Sequence, residues 1–449
     1  MDHSQNKLGK MPIGKLIVTM SVPMMISMFI QALYNVVDSI FVAQLCEDAL
    51  TAVSLAYPLQ NIMYAIGVGT GVGINALVSR SLGEGNIRRA EKAANVQIFL
   101  GIAYTIVLAL FGIFFSRTYF SAQTDVESII EYGAEYLSIV CIWSLGLFFS
   151  QGFEKLLIAT GNATPSMIAQ ALGAILNIVL DPLFIFTFDL GVRGAAIATV
   201  IGQYCAALCA FLLNLKYNKA TRFDLRQLLP DLKILRFIYA VGFPSMLTIG
   251  LNAVMSYFMN SIFLGFSTTA AAVFGIWLKL QGFGYMPVFG MNNGTITIFS
   301  FNHGAKKFER VYSTLRISMI LGVCITLIVI AVYELFPTPL LRLFNASDYM
   351  LSIGVTAVRL CAVSMLFGAA SVIISSASQS LGHAGLALFI NLCRQALLMF
   401  PIALLLSRLG RLEIVWLAPA LSEMLAFIAA VIICRYVILG LKRQQAELQ

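Results

Sequence analysis

The sequence predicts an all-α integral membrane protein of about 12 transmembrane helices in two pseudo-symmetric six-helix bundles. Three observations predict it: the composition, the recurrence of long apolar segments, and an internal repeat. Of the 449 residues, 59% are hydrophobic and only 11% are charged, and the mean hydropathy is +0.87. Water does not solvate a chain so poor in charge, so the lipid bilayer must be its solvent.

The apolar segments recur along the whole chain. A helix needs roughly 20 residues to cross a hydrocarbon core of about 30 Å. The polar, basic start of the chain precedes an apolar run too long for a signal peptide, which predicts a retained first helix. The predicted spans are residues 15–43, 50–79, 93–116, 132–158, 164–187, 193–216, 237–264, 271–301, 313–336, 353–379, 384–407 and 412–440.

The domain organisation follows from the longest polar stretch, which lies near the middle of the chain. It predicts an amino-terminal bundle over residues 1–216, a linker over 217–236 and a carboxyl-terminal bundle over 237–449. Twenty Lys and Arg lie at the termini, in the central polar stretch over residues 214–236 and in the loops at 80–92 and 306–316, against six in the opposite loops. The positive-inside rule therefore predicts that both termini and the linker are cytoplasmic, in a multi-pass protein of the cell inner membrane.

The two predicted halves resemble each other in sequence. Six residues recur 221 positions later, a separation that we call the repeat offset: Leu59, Gln60, Tyr64, Gly69, Gly73 and Gly83 match Leu280, Gln281, Tyr285, Gly290, Gly294 and Gly304. Because each half has an even number of helices, the repeats should be related by an axis along the membrane normal. This arrangement predicts a substrate cavity between the halves.

A carboxylate in the first apolar run is the most informative residue. Asp38 follows about twenty apolar or small residues, and a charge at such depth needs a partner, a proton or an ion. Gln31, Tyr34 and Asp38 are spaced by three and four residues, so they share one helical face. In the alternative interpretation, Asp38 lies near the outer end of its helix and contacts interfacial water.

A second polar cluster is predicted around the segment NIVLDP. Asn177 and Asp181 are four residues apart, so they are neighbours on one helical face. Pro182 leaves the Ile178 carbonyl without its amide partner. Together with the hydroxyl of Thr199, these oxygens would suit sodium or a network that shares a proton. Alternatively, Asp181 only caps a break in a kinked helix.

The second half lacks this chemistry in the sequence. Asn260 aligns with Asp38, and LLMFPIALLL replaces the Asn177/Asp181 pair, which predicts an apolar and aromatic wall there. Pro23 and Pro244 match between the halves and are candidates for hinges, or are simply tolerated membrane prolines. The glycines of GVGTGVG, at residues 67–73, predict close helix packing rather than a phosphate loop.

Other charges and ligand-type residues are less informative. Lys279 and Arg394 could face the cavity, snorkel or pair with a carboxylate such as Glu423, and the sequence does not decide between these. Glu154 and Lys155 are expected at the cytoplasmic interface. The eight Cys and three His are scattered, so neither a disulfide framework nor a metal centre is expected. The basic residues lie in short loops, which argues against a nucleic-acid partner.

The motifs taken together resemble the multidrug and toxic compound extrusion (MATE) family, in its bacterial and archaeal branch. The resemblance covers essentially the whole chain. Its motifs are Pro23 with Asp38, the SRSLGEGN loop, the ATGN turn at 159–162, Asn177 with Asp181 and Pro182, and WLAPALSE near Trp416.

The resemblance implies a V-shaped cavity, alternating access, and antiport of cationic amphiphiles against protons or sodium, with no enzyme activity and no cofactor. It implies a cation site at Asp38, Asn177, Asp181 and Thr199, with Gln31 and Tyr34 in the neighbouring substrate cavity. The expected partners are small organic cations and the bilayer, and no obligatory protein partner is evident.

Four other functions compete. A flippase for lipid-linked oligosaccharides or polysaccharides is the nearest, but its anionic cargo should require several basic residues at mid-membrane depth, and only Lys279 and Arg394 qualify. An intramembrane enzyme is disfavoured because no HExxH or GxSxG motif occurs. A channel filter usually needs a symmetric ring. ATP-driven export would need a Walker motif, which is absent from the sequence.

Overall fold

The computed structural model describes residues 3–218, 231–344 and 346–447, and this part of the chain contains helices and no strands. The helices of the first half are α1 (His3–Lys10), α2 (Ile13–Ala43), α3 (Glu47–Gly83), α4 (Ile87–Phe114), α5 (Ser116–Ser121), α6 (Glu127–Ile142), α7 (Leu145–Ala159), α8 (Ala163–Pro182) and α9 (Gly191–Tyr217). A π-helical turn, Leu183–Thr187, extends α8.

The second half repeats this order. Its helices are α10 (Leu232–Leu264), α11 (Thr268–Gly304), α12 (Phe308–Leu335), α13 (Pro337–Arg342), α14 (Asp348–Ala362), α15 (Ser364–Ser380), α16 (Ala384–Leu392), α17 (Met399–Ser407), α18 (Leu412–Val415) and α19 (Ala418–Ala446). A π-helical turn, Cys393–Leu397, joins α16 to α17. The predicted linker lies mostly outside the described residues, so the domain boundaries stay a prediction.

The helices are long and apolar enough for a multi-pass membrane protein. Ten helical segments pass that test, and the pair α6 and α7, bent by 47° relative to one another, makes an eleventh. The 37-residue α11 completes the second bundle, and most of its carboxyl-terminal half is buried within the protein. The predicted all-α membrane fold is thus confirmed, while the predicted span at 132–158 is broken at residues 143–144.

The repeat offset also relates the helices of the two halves. Helices α3 and α11 both have 37 residues, α4 and α12 both have 28, and α5 and α13 both have 6. Within these three pairs, both ends of the second helix follow those of the first by the repeat offset. Left-handed backbone recurs in the same register, with φ of 74° at Gly85 and 56° at Lys306.

This gap-free register corrects one sequence alignment. The carboxyl-terminal ends of α2 and α10 are separated by the repeat offset, and so are their internal prolines. Asp38 therefore corresponds to Met259, a buried residue, and not to Asn260. The pairing with Asn260 was wrong. It follows from aligning the SIF sequence that both helices contain, which requires a one-residue gap, and the two helices are in register without a gap.

The two halves meet through backbone contacts made possible by glycine. A Cβ added at Gly73 would lie 2.2 Å from the Ile238 carbonyl oxygen, and one at Gly83 would lie 2.1 Å from that of Phe301. Only a residue without a side chain allows such an approach. The contacts across the halves pair Gly69 with Gly242, Gly73 with Ile238, Gly83 with Phe301, Gly290 with Met25, Gly294 with Met20 and Gly304 with Arg80.

We call this set of contacts the glycine seal, and the side where it ends, at the loops 84–86 and 305–307, the basic side. The glycine packing predicted for residues 67–73 is part of it. Helix α1 lies across the same side. Lys7 donates to the Gly161 carbonyl of the first half (3.3 Å), and Arg310 of the second half donates to the carbonyls of Leu8 (3.0 Å) and Met11 (2.8 Å).

Candidate functional site

Four polar side chains from three helices of the first half form a cluster, in which Asp38 is half-buried and the other three are buried. Asn177 on α8 donates through Nδ2 to Asp181 Oδ1 (3.2 Å) and to Thr199 Oγ1 on α9 (3.3 Å). Asp38 on α2 brings its carboxyl group within hydrogen-bonding reach of Asp181. The Asp181 side chain is completely buried. We call these four residues the carboxylate cluster.

Three oxygens of the carboxylate cluster lack a donor. Asp38 Oδ1, Asn177 Oδ1 and Asp181 Oδ2 are inaccessible to solvent and have no hydrogen-bond partner among the described residues. Two ionised carboxylates only accept hydrogen bonds, so their contact requires a proton or a cation between them. Oxygens of carboxylates and amides are also the ligands of hard cations.

The local sequence explains how α8 presents its two polar residues. Pro182 is the last residue of α8, and a π-helical turn follows immediately. Proline cannot donate to the carbonyl four residues earlier, so the regular helical ladder ends one residue after Asp181. Insertions of the π type are frequent at functional sites because they turn side chains to a new direction.

The central cavity is separate from the carboxylate cluster and lies between the two halves. Its volume is about 600 Å³, which is the size of a pocket for a drug-sized compound. Gln31 and Tyr64 line it, and the Tyr64 hydroxyl donates to Gln31 Oε1 (3.4 Å). The apolar lining includes Met24, Met28, Met255, Met259, Phe274, Trp277 and Phe289.

Tyr34 occupies a different place from the one expected. It is not among the described residues that line the cavity, although it is near enough to Asp38 and Asp181 to interact with both. The stripe of Gln31, Tyr34 and Asp38 therefore runs from the cavity towards the carboxylate cluster. Gln31 lies at its cavity end.

Among the described residues, four charged side chains also line the cavity, and two of them lie elsewhere than the sequence predicts. Glu154 and Lys155 were expected at the membrane interface, yet both are buried and face the cavity. The expectation was wrong because α7, after the bend, packs inward between α3 and α9. Both residues shortly precede the ATGN turn in the sequence, which indicates the end of a helix and therefore the membrane interface.

The second half is not a purely apolar wall, which is a second correction. Arg394, in the π-helical turn, donates from Nε and Nη2 to the two carboxylate oxygens of Glu423 on α19, at 2.7 and 2.9 Å. Both residues line the cavity. Lys279 is exposed and lies 5.7 Å from the centre of the Phe344 ring.

A signal for this ion pair is visible in the repeat. At the repeat offset, Arg394 and Glu423 correspond to Gly173 and Gly202, and a Cβ on Gly173 would lie 2.8 Å from the Gly202 carbonyl oxygen. Two neighbouring glycines of one half are thus replaced by two opposite charges in the other. A paired comparison of the halves would have identified the pair. Among the described residues, no cluster of His, Cys, Asp and Glu could hold a metal ion.

Comparison with known families gives one match over most of the chain. The sequence profile of the MatE family matches residues 23–183 and 244–405. The two matched segments begin at Pro23 and Pro244, which the repeat offset separates, so the family pattern coincides with the structural repeat.

Individual proteins are similar over nearly the full length. The chain is 25% identical over 434 residues to the multidrug export protein MepA of Staphylococcus aureus, with 94% of each chain covered. It resembles the outward-facing structure of a multidrug resistance MATE transporter of the MOP superfamily, with a TM-score of 0.92, 27% identity and 97% and 98% coverage. It also resembles a MOP superfamily transporter of Pyrococcus furiosus, described as having a binding pocket of reversed polarity, with a TM-score of 0.90, 27% identity and 98% coverage of each chain.

Proposed function

Because the chain belongs to the MatE family and is a multidrug efflux transporter of the MATE type, we propose that it exports cationic amphiphiles in exchange for protons or sodium ions. It is a multi-pass membrane protein and not an enzyme, and transporters of this type need no cofactor. The proposal concerns the coupling ion, the class of compound and the residues that carry the exchange.

The carboxylate cluster carries this proposal. It combines two neighbouring carboxyl groups, an amide and a hydroxyl, and three of its oxygens have no donor among the described residues. A proton shared between Asp38 and Asp181, or a sodium ion held with Asn177 and Thr199, would satisfy them. Loss of that ion leaves negative charge at low dielectric, which attracts a cation in the neighbouring cavity.

Exchange follows from mutual exclusion. With the ion bound, the carboxylate cluster carries less negative charge and holds an organic cation weakly, and without the ion it holds one strongly. Tyr34 and Gln31 lie between the carboxylate cluster and the cavity. The charge of the cluster can therefore act on a cation in the cavity over a short distance. Methionine and aromatic walls accept many molecular shapes, which suits broad specificity.

The distribution of charge supports a direction of transport. The loops of the basic side carry Lys and Arg, which are retained in the cytoplasm. We therefore place both termini there, in the cell inner membrane. With the glycine seal closed on this side, the cavity would open to the exterior and release its cargo, and bending at Pro23 and Pro244 would help to reverse this arrangement.

The cavity charges argue against the flippase alternative. An anionic cargo requires an excess of positive charge. Arg394 is paired with Glu423, and Lys155 is next to Glu154 in the chain, so the lining of the cavity is formally balanced.

The test is export of a fluorescent cation from proteoliposomes under an imposed pH or sodium gradient. We expect wild type to export under one of the two gradients and Asp38→Asn to lose export. Asp348→Asn is the matched control, since Asp348 is exposed at the start of α14. Export that Asp38→Asn leaves intact would contradict the proposed coupling site, and no export under either gradient would contradict the function.

A further inference from the structure

Two adjacent residues of α7 with opposite charges face the cavity but contact different halves of the protein. Glu154 Oε2 accepts a hydrogen bond from Gln170 Nε2 on α8, in its own half, at 3.3 Å. Lys155 Nζ donates to Asn293 Oδ1 on α11, in the other half, at 2.8 Å. Lys155 is 7% exposed, so its charge is removed from bulk solvent.

Of the two basic residues that line the cavity, Arg394 is in a salt bridge with Glu423, and Lys155 is in none with the described residues. An ammonium group has three donors, and Asn293 accepts from one of them. Arg394 is engaged by both oxygens of Glu423. A carboxylate that enters the cavity would therefore find its partner at Lys155, because a charge-assisted hydrogen bond at low dielectric is strong.

The contact between Lys155 and Asn293 depends on the arrangement of the halves. Asn293 precedes Gly294, whose added Cβ would lie 3.0 Å from Met20 in the glycine seal. In the alternating access proposed above, opening of the basic side would separate α11 from the first half and take Asn293 away from Lys155. Closing would bring Asn293 back as a competitor for the ammonium group.

Resting on the export function proposed above, we infer that Lys155 binds the anionic group of zwitterionic amphiphiles and that Asn293 displaces this group from the ammonium when the glycine seal closes. The compounds concerned carry a cationic and a carboxylate group on an apolar scaffold. Asn292 and Gln395 also line the cavity, and their side-chain oxygens are shielded from solvent and accept no hydrogen bond from the described residues. Rotation of either amide would turn an acceptor towards the cationic end. Lys155 is thus a specificity-determining residue.

A matched pair of xanthene dyes tests this inference. The ethyl ester of a rhodamine is a cation, and the free acid of the same dye is a zwitterion. Binding by fluorescence anisotropy and export from proteoliposomes are measured for both dyes. We expect Lys155→Met to lower the ratio of zwitterion to ester, for affinity and for export, by about tenfold or more, as for loss of one charged hydrogen bond. Lys155→Arg should keep most of the ratio.

A second variant gives an effect of opposite sign. Asn293→Ala removes the competitor of the anionic group, so the zwitterion should bind more tightly and leave more slowly, while the ester is affected less. Lys279→Met is the control, because Lys279 is exposed and lies outside the cavity. Lys155→Met removes a buried charge and Asn293→Ala does not. If Lys155→Met folds poorly, the result for Asn293→Ala alone therefore decides the inference.

Each contrary outcome is distinct. An equal loss for both dyes in Lys155→Met means that Lys155 only neutralises Glu154, and it overturns the inference. Export of the ester by wild type without any export of the zwitterion overturns it too. Failure of wild type to export either dye contradicts instead the function on which the inference rests.

Discussion

The two halves share one backbone and have different buried chemistry. The carboxylate cluster of the first half, Asp38, Asn177, Asp181 and Thr199, corresponds at the repeat offset to Met259, Leu398, Ile402 and Ala420. Conversely, the ion pair of the second half corresponds to two glycines in contact in the first. A constant arrangement of helices therefore sets where buried polar groups can lie, and the side chains determine which half carries an exchangeable charge and which a fixed one.

The largest expected effect comes from removing one partner of the Arg394–Glu423 ion pair in the second half. Arg394→Met leaves Glu423 buried without its bidentate partner, which should destabilise the protein by about 3–5 kcal/mol. The double variant Arg394→Met/Glu423→Gln removes both charges and should recover most of that loss. Thermal unfolding of the purified protein in detergent measures both. A double variant as unstable as the single one would mean that packing, and not charge pairing, explains the site.

The glycine seal allows a sharper comparison of equivalent positions. Gly73→Ala places a methyl group 2.2 Å from a backbone oxygen of α10, while the nearest atom to the equivalent Cβ at Gly294 is 3.0 Å away. Overpacking typically costs about 1–3 kcal/mol, so Gly73→Ala should depopulate the closed basic side about tenfold or more, and Gly294→Ala less.

The distance between spin labels at the exposed positions Arg88 and Glu309, in a cysteine-free background, reports the closed state. Gly275→Ala is the control, since its added methyl group contacts nothing within 4 Å. Equal effects of Gly73→Ala and Gly294→Ala would contradict the asymmetry.

A smaller effect is expected where α1 crosses the basic side. Arg310→Ala removes the two hydrogen bonds to the carbonyls of Leu8 and Met11, together with one to Asn302 Oδ1 within the second half. Loss of the first two should weaken closure by about 1–2 kcal/mol. The same spin-label distance measures it. Arg316→Ala, at an exposed position on the same helix, provides the comparison, and equal effects would show that general charge loss is responsible.

The smallest effect is expected from a pair at the surface that connects the halves. Asp231 accepts from the Lys233 backbone N–H (2.9 Å) and from Lys92 Nζ on α4 (3.3 Å), and these bonds hold the pKa of its carboxyl below 3.8. A carboxyl group with a lowered pKa in the folded protein stabilises that state at pH values above its pKa in the unfolded chain. This stabilisation is lost as the pH falls through the pKa of the folded state. Asp231→Asn should therefore lower the unfolding temperature slightly at pH 7, and this difference should shrink as the pH falls below 3.8. A difference that stays constant there would contradict the electrostatic origin.

The sequence predicted the carboxylate cluster better than the cavity, for a physical reason. A carboxylate inside a long apolar run, such as Asp38 or Asp181, is costly enough to be conspicuous wherever its helix packs. Glu154 and Lys155 lie near the end of an apolar run, where depth depends on the bend at residues 143–144. Arg394 and Glu423 become a pair only through the packing of the π-helical turn against α19. The helix count and the repeat were predictable because they depend on length and periodicity alone.

The most direct test of the exchange is whether binding of an organic cation releases the coupling ion. Titration of purified protein with a fluorescent cation in weakly buffered solution, with and without sodium, measures proton release and the effect of sodium on affinity. We predict release of about one proton per cation bound, or displacement by sodium, and loss of either effect in Asp38→Asn. Tight binding in wild type without proton release and without dependence on sodium would contradict the account.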